Sequence, residues 1–278
     1  MKLFHEQLYN LFQLKRVIKI ISGLNNSNIN QIIKIVKSAE LSRASYIDIV
    51  ANTKIIKIIK SITYLPICVS SIDPLELYNC VIAGADLVEI GNFDCFYKKG
   101  LTLSSDQILQ LAKETRELIK DRDICVTIPC IFKLSHQIQL AQDLEALGIN
   151  IIQTEGLISK YNNKSNKEYD KIFCSTNIAS ETLSSTYTIS RYVNIPVIAA
   201  SGINYISSSI AMFYGASGIG IYSEIKYKKT IYDMTFYLNQ IYFSLYYQKK
   251  IYNNNFLIHL KQKKSKKFLC MNRYLLKI

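Results

Sequence analysis

The sequence predicts a closed (β/α)8 barrel. Three observations lead there. Eight short aliphatic runs recur along the chain, amphipathic segments of helical period separate them, and the runs are predominantly aliphatic in character. Strands of that kind form a parallel sheet covered on its outer face, and eight such units in 278 residues suit ring closure better than an open sheet.

The strands are expected at Val17–Ser22, Tyr46–Ala51, Pro66–Ser71, Asp86–Gly91, Ile124–Pro129, Ile149–Thr154, Pro196–Ser201 and Ser217–Tyr222. The intervening helices are expected at Asn28–Leu41, Thr53–Ile62, Pro74–Ala83, Ser104–Lys120, Ser135–Leu147, Ile178–Val193, Ile206–Tyr214 and Ile225–Tyr246. Asp73-Pro74 and Ser104 to Gln107 carry helix-start signals, and Gly84, Gly148 and Gly215 fall where helices should end. Leu157 to Thr176 is polar and without period, so it reads as a long loop on the C-terminal face of the barrel.

Composition narrows the class. Hydrophobic residues make up 49% and charged residues 20%, enough for a large core and too apolar for a disordered chain. No apolar run reaches the roughly 18 residues needed to cross a bilayer, so no membrane partner is expected. The first 15 residues lack the apolar stretch of a signal peptide, so the expectation is a soluble protein that acts where it is made or one whose sorting signal is not legible in the sequence. Seven cysteines, an odd number without CxxC spacing, read as reduced structural thiols in a reducing compartment. Only three scattered histidines accompany them, so no metal site is expected.

The net charge of +13 is unevenly spread. Residues 249–278 hold nine Lys or Arg and no acid, which leaves +4 for residues 1–248. The sequence therefore divides into a barrel over residues 1–248 and a basic C-terminal tail over 249–278. The bias toward Ile, Lys, Asn and Tyr also matches AT-rich codons.

Strand parity places polar groups inside the barrel. Residues of a barrel strand alternate between lumen and helix layer. With Ile18, Ile20, Ile47, Ile49, Val88 and Ile90 facing the helices, Lys19, Asp48 and Glu89 turn inward, as do Thr127 and Gln153. Unpaired charges there would be strongly unfavourable, so these groups are either an ion network that fills the lumen or a catalytic set. In the catalytic reading Lys19 is an electrophile or Schiff-base amine, and Asp48 or Glu89 the acid/base. Ser22, Asn92, Gln153 and Glu155, at strand ends, are candidates for substrate contact.

A phosphate site is suggested at strands seven and eight. Ala200-Ser201-Gly202-Ile203 and Gly218-Ile219-Gly220-Ile221-Tyr222-Ser223 place glycines where barrels of this architecture often hold a phosphate on backbone N–H groups. Ser201, Gly202, Gly220 and Ser223 are the candidates; the alternative is that the glycines only serve tight turns. His5, His136 and His259 are not placed as bases. No dinucleotide fingerprint, phosphate-binding P-loop or zinc-protease motif occurs, so no cofactor is expected.

Five strings together carry a family resemblance: Val17–Gly23, Asp86–Tyr97, Ile124–Pro129, Ile151–Gly156 and Ser190–Gly202. They resemble the hypothetical chloroplast reading frame twenty-three family of algal plastids and cyanobacteria, over roughly residues 5–245. The resemblance implies an aldolase-type, ribulose-phosphate-binding-like TIM barrel located in the plastid, within the chloroplast stroma, and it carries no catalytic residues across. One departure is Tyr222-Ser223-Glu224, where small residues are usual; Glu224 beside the phosphate site opposes anion binding.

The expected function is binding of a small phosphorylated metabolite at the C-terminal face, with lyase or isomerase chemistry next to a carbonyl. The alternative is a non-catalytic barrel that uses the basic tail on nucleic acid or an acidic partner. The oligomeric state is not legible.

Overall fold

The computed structural model of the chain describes residues 3–23, 26–91, 93, 97, 100, 102–156 and 168–246. Eight parallel strands close in sequence order: β1 (Val17–Ile21), β2 (Tyr46–Val50), β3 (Ile67–Ser71), β4 (Leu87–Ile90), β5 (Asp123–Ile128), β6 (Ile151–Thr154), β7 (Val197–Ala199) and β8 (Gly218–Ile221). Closure is made by β1 pairing with β8, with Lys19 opposite Gly220.

Helices cover the ring: α2 (Ile29–Leu41), α3 (Thr53–Lys60), α4 (Pro74–Ile82), α5 (Ser105–Leu118), α6 (Leu134–Ala146), α7 (Glu168–Ile178), α8 (Ser180–Ile189), α9 (Ser207–Phe213), α10 (Ser223–Lys226) and a last helical stretch over residues 231–246. Their starts follow local chemistry. Asp73 Oδ1 accepts the N–H groups of Leu75 and Glu76, and Ser104 with Gln107 forms a capping box. Gly84, Gly148 and Gly215 end α4, α6 and α9 with φ of +113°, +89° and +104°.

The pleat sorts the core into two parts. Outward strand residues such as Ile18, Ile20, Ile47, Ile49, Val88 and Ile90 pack under the helices in the main cluster. Inward residues at the strand beginnings (Val17, Tyr46, Cys68, Leu87, Cys125, Ile151 and Ile198) form a second cluster with Leu3, Leu8 and Phe12. These last three belong to α1 (Glu6–Gln13) and its lead-in, a helix the eightfold reading did not anticipate. It closes the lower end of the lumen, and the Asp123 carboxylate anchors it by accepting the N–H groups of Phe4 and His5, each at 2.9 Å.

Three expectations need correction. Residues 168–176, read as loop, are helical in α7; the polar Asn/Lys composition concealed that segment. The helix expected over Ile178–Val193 breaks at Ala179, separating α7 from α8. The helix expected from Ile225 begins as the short α10 and resumes at residue 231. Residues 157–167 and the tail, residues 249–278, lie outside the described residues. Among the described residues no helix is long and apolar enough to cross a membrane, and Cys68, Cys80, Cys125, Cys130 and Cys174 are free thiols.

Candidate active site

Above the lower plug the lumen becomes polar. Lys19 from β1, Asp48 from β2, Ser70 from β3, Glu89 from β4, Thr127 from β5 and Gln153 from β6 meet there, each no more than 2% exposed. Lys19 Nζ donates to Glu89 Oε2 and, at 2.9 Å, to Gln153 Oε1; it also lies 2.9 Å from Asp48 Oδ2. Glu89 Oε1 accepts from Thr127 Oγ1 at 2.9 Å and from Gln153 Nε2 at 2.7 Å. Ser70 Oγ donates to Asp48 Oδ1 at 2.6 Å. Strand parity puts Lys19, Asp48, Glu89, Thr127 and Gln153 in the lumen, and the structure brings all five together there.

The room for this layer is made at Gly91. A Cβ on that residue would sit 2.3 Å from Thr127 Oγ1 and 3.0 Å from Glu89 Oε1, so any side chain would press on the network.

The two carboxylates are not equivalent. Both oxygens of Glu89 are held by directed donors. Asp48 Oδ2 has the ion contact to Lys19 but no directed hydrogen bond, although it is buried. Ser22 Oγ, at the end of β1, is likewise buried and unpartnered, and the Ser22 N–H donates to the Asp48 carbonyl at 2.8 Å. Buried polar atoms are seldom left unpaired, so Ser22 Oγ, on the strand next to Asp48, marks a place where an additional polar group fits.

One ammonium faces two carboxylates, so the buried set carries either a net negative charge or an extra proton. Burial by itself would lower the Lys19 pKa, but Asp48 and Glu89 reverse this and hold it well above the lysine value. Burial raises Asp48 to about 6, helped by Glu89 and opposed by Lys19 and by the Ser70 hydrogen bond. Lys19 is therefore a fixed cation; a Schiff-base lysine needs a depressed pKa, so this environment suits the electrophile role and not the imine role. Asp48 is the carboxyl that exchanges a proton near neutral pH.

The mouth carries a second polar group. Glu155, at the end of β6 and 5% exposed, accepts from the Tyr97 hydroxyl and from the Cys130 N–H at 3.2 Å. Burial, and then Glu155, push the Cys130 thiol up to about 12, so it stays protonated. Asn92 lies outside the described residues.

At the ends of β7 and β8, Ser201 and Gly202 both adopt positive φ, +73° and +69°. Serine rarely takes this conformation, and Thr182 of α8 secures it by donating to the carbonyls of Ala200 and Ser201, each at 2.9 Å. The N–H groups of Ser201, Gly202 and Ser223 donate to no acceptor among the described residues. The start of α9 is closed, because Asn204 Oδ1 accepts from Ile206 and Ser207.

Gly220 requires a correction. It lies within β8 rather than in a turn, and a Cβ there would meet Ala200 Cβ at 2.9 Å and Ile21 Cδ1 at 3.1 Å. It is a packing glycine of the sheet. Ser201, Gly202 and Ser223 remain at the mouth. The sequence reading gave no role to Tyr97 or Thr182, because each acts on a strand end distant in sequence.

A family model described as "Protein of unknown function (DUF561)" matches residues 4–251. The chain belongs to the DUF561 family. Among curated relatives, "Uncharacterized protein ycf23" of Antithamnion sp. is 51% identical over 264 residues, covering 92% of this chain and 95% of the relative. The ycf23 protein of Cyanophora paradoxa is 40% identical over 234 residues, covering 84% and 93%. Both organisms carry plastids. Among solved structures, GGGPS from Thermoplasma volcanium aligns with a TM-score of 0.60 at 12% identity, covering 88% of this chain and 98% of that one. A 3-hexulose-6-phosphate synthase aligns with a TM-score of 0.57 at 14% identity, covering 82% and 99%. At these identities the structural likeness establishes a shared TIM-barrel fold for this DUF561 chain.

Proposed function

We propose that this DUF561 barrel binds a small phosphorylated carbonyl compound at its C-terminal mouth and moves a proton on the carbon beside the carbonyl. The observation that carries the reading is the buried Asp48 carboxylate, whose Oδ2 has Lys19 as its one contact, beside the buried and unpartnered Ser22 Oγ and a lysine held as a cation. In this reading the phosphate takes the N–H groups of Ser201, Gly202 and Ser223, with Glu224 limiting how much negative charge the site accepts. Glu155 and Tyr97 contact the polar end of the substrate.

The proton step follows from the charges. Asp48, ionised, takes the proton of the C–H bond onto Oδ2; the bonding electrons move to the carbonyl oxygen, giving an enediolate. The Lys19 ammonium favours that added negative charge, and Glu89 keeps Lys19 in place. Return of the proton to the former carbonyl carbon, with the neighbouring hydroxyl proton passing to the carbonyl oxygen, gives an isomer. If Asp48 instead takes the hydroxyl proton two carbons from the carbonyl, the C–C bond between them breaks, its electrons pass to the carbonyl oxygen, an aldehyde leaves and the reaction is a lyase. The likeness to a synthase named for a hexulose phosphate supports the substrate class by analogy of fold. The same reading assigns the protein to the plastid, in keeping with its ycf23 relatives, and within the plastid to the stroma.

The test is solvent deuterium exchange, followed by proton NMR, over triose, pentose and hexose phosphates. Incorporation beside the carbonyl by the wild-type chain, abolished in Asp48→Asn with the fold intact by circular dichroism, supports the reading. Exchange that persists in Asp48→Asn, or no exchange with any member of the series, overturns the proton step.

A further inference from the structure

The end of the barrel opposite this mouth carries a different chemistry. Arg16 and Arg43 precede β1 and β2, Arg191 and Tyr192 precede β7, and Phe213 ends α9 just before β8. These positions therefore share the face where strands begin, in the continuous sector β7-β8-β1-β2 of the ring. Each arginine lies over a tyrosine ring: Arg191 over Tyr187 at 3.8 Å, Arg16 over Tyr246 at 4.8 Å and Arg43 over Tyr242 at 5.6 Å. Tyr187 meets Tyr214 edge-on, and Tyr242 stacks on Tyr246 at 4.1 Å between centroids. Phe213 is 83% exposed and Tyr192 55%. Large aromatic side chains left in water beside arginines are not a packing requirement of the barrel, whose outer core is complete without them.

The charge of this sector is mainly basic. Arg191 is the one charged residue between Glu181 and Glu224, and two acids at this end are already engaged: Glu40 accepts from Thr63 Oγ1 and the Tyr64 N–H, and Glu145 from the Asn194 N–H at 2.9 Å. No acid follows Asp233 in the sequence, and residues 249–278 include nine Lys or Arg. An acidic peptide would match the charge but makes no use of flat rings. A strand of unpaired nucleotides matches both, since phosphates pair with Arg and Lys while bases stack on aromatic and guanidinium faces.

We infer that the strand-start face of this barrel, over β7-β8-β1-β2, is a docking surface for single-stranded nucleic acid. The phosphates run along Arg191, Arg16 and Arg43, and bases stack on the exposed rings of Phe213 and Tyr192. This inference is independent of the proposed enzyme activity, which belongs to the other end of the barrel.

The test is fluorescence anisotropy of the full chain with a labelled 20-nucleotide oligouridine RNA at several salt concentrations. The wild-type chain is expected to bind, with affinity falling steeply as salt rises. Arg43→Gln with Arg191→Gln should reduce the magnitude of the log–log salt slope by about 1.4, at about 0.7 for each phosphate of a single strand that no longer meets a cation. Tyr192→Ala with Phe213→Ala removes only exposed rings, so folding is retained, and binding should weaken by about tenfold or more at unchanged slope. Absence of binding overturns the inference. So does binding that these four changes leave unaltered, which would assign the affinity to the tail charges alone. A wild-type chain that self-associates through these residues in ultracentrifugation, or binds phosphatidylglycerol vesicles in preference to RNA, assigns the surface to a second copy or a membrane and equally overturns it.

Discussion

Asp48 stands opposite Ile21 on the β1–β2 ladder, two residues beyond Lys19, yet its Oδ2 lies 2.9 Å from Lys19 Nζ. The lysine side chain therefore runs along the lumen toward the mouth and delivers its charge one layer above its own backbone. That reach lets one cation from β1 serve carboxylates on β2 and β4 together.

Because the Asp48 pKa rises on folding, from 3.8 to about 6, its protonated form stabilises the native state. The contribution is fully present below the unfolded value and is lost as pH rises through the folded one. Two pKa units correspond to about 3 kcal/mol. Urea unfolding of wild type should thus weaken by that order between pH 4 and pH 7 relative to Asp48→Asn, whose buried amide does not titrate. Parallel stability curves for the two proteins would contradict the assignment.

Lys19→Met leaves two carboxylates buried without a cation and should destabilise the barrel by about 3–5 kcal/mol at pH 7. Adding Glu89→Gln to that variant removes one of the stranded charges and should recover part of the loss. A double-mutant cycle measured by urea denaturation reads the coupling directly, and additive effects would show that the two residues do not share a network.

Gly91→Ala should cost about 1–3 kcal/mol, because the new methyl group would lie 2.3 Å from Thr127 Oγ1 on the neighbouring strand. The variant should also lose proton-exchange activity, since the displaced Thr127 no longer fixes Glu89. A Gly91→Ala protein as stable as wild type by thermal unfolding would contradict this packing.

At the lower end, Leu8→Ala opens the plug beneath the polar layer and should cost about 2–5 kcal/mol. Asp123→Ala leaves the N–H groups of Phe4 and His5 without their acceptor and should cost about 1–3 kcal/mol. Hydrogen exchange should show residues 4–13 losing protection first in Asp123→Ala; exchange confined to other elements would place the anchor elsewhere.

Strand parity was enough to find the polar layer, because aliphatic neighbours on both sides of Lys19, Asp48 and Glu89 leave those residues no face but the lumen. Parity cannot count protons, so the inequality of Asp48 and Glu89 depended on which partners reached each oxygen. Helix α1 escaped because a plug packs on strand beginnings scattered through the sequence (Tyr46, Leu87, Ile151) and leaves no periodic trace near itself beyond Leu8 and Phe12. The positive φ of Ser201 escaped for a similar reason: Thr182, which secures it, lies on α8, before β7. The Gly218 and Gly220 pair looked like turn chemistry because sequence alone does not distinguish a glycine that admits a ligand from one that admits a neighbouring strand.

The most direct test of the account is a thermal-shift titration with sugar phosphates. A ligand at a hundredfold excess over its Kd adds about 2.7 kcal/mol, which raises the Tm of a domain of this size by roughly 5–10 °C. We expect such a rise with at least one phosphorylated carbonyl compound, no rise with its dephosphorylated form, and loss of the effect in Ser223→Glu, which sets a negative charge among the N–H groups of the mouth. A Tm unmoved by every phosphorylated compound at millimolar concentration, or a shift that Ser223→Glu leaves intact, would contradict the account.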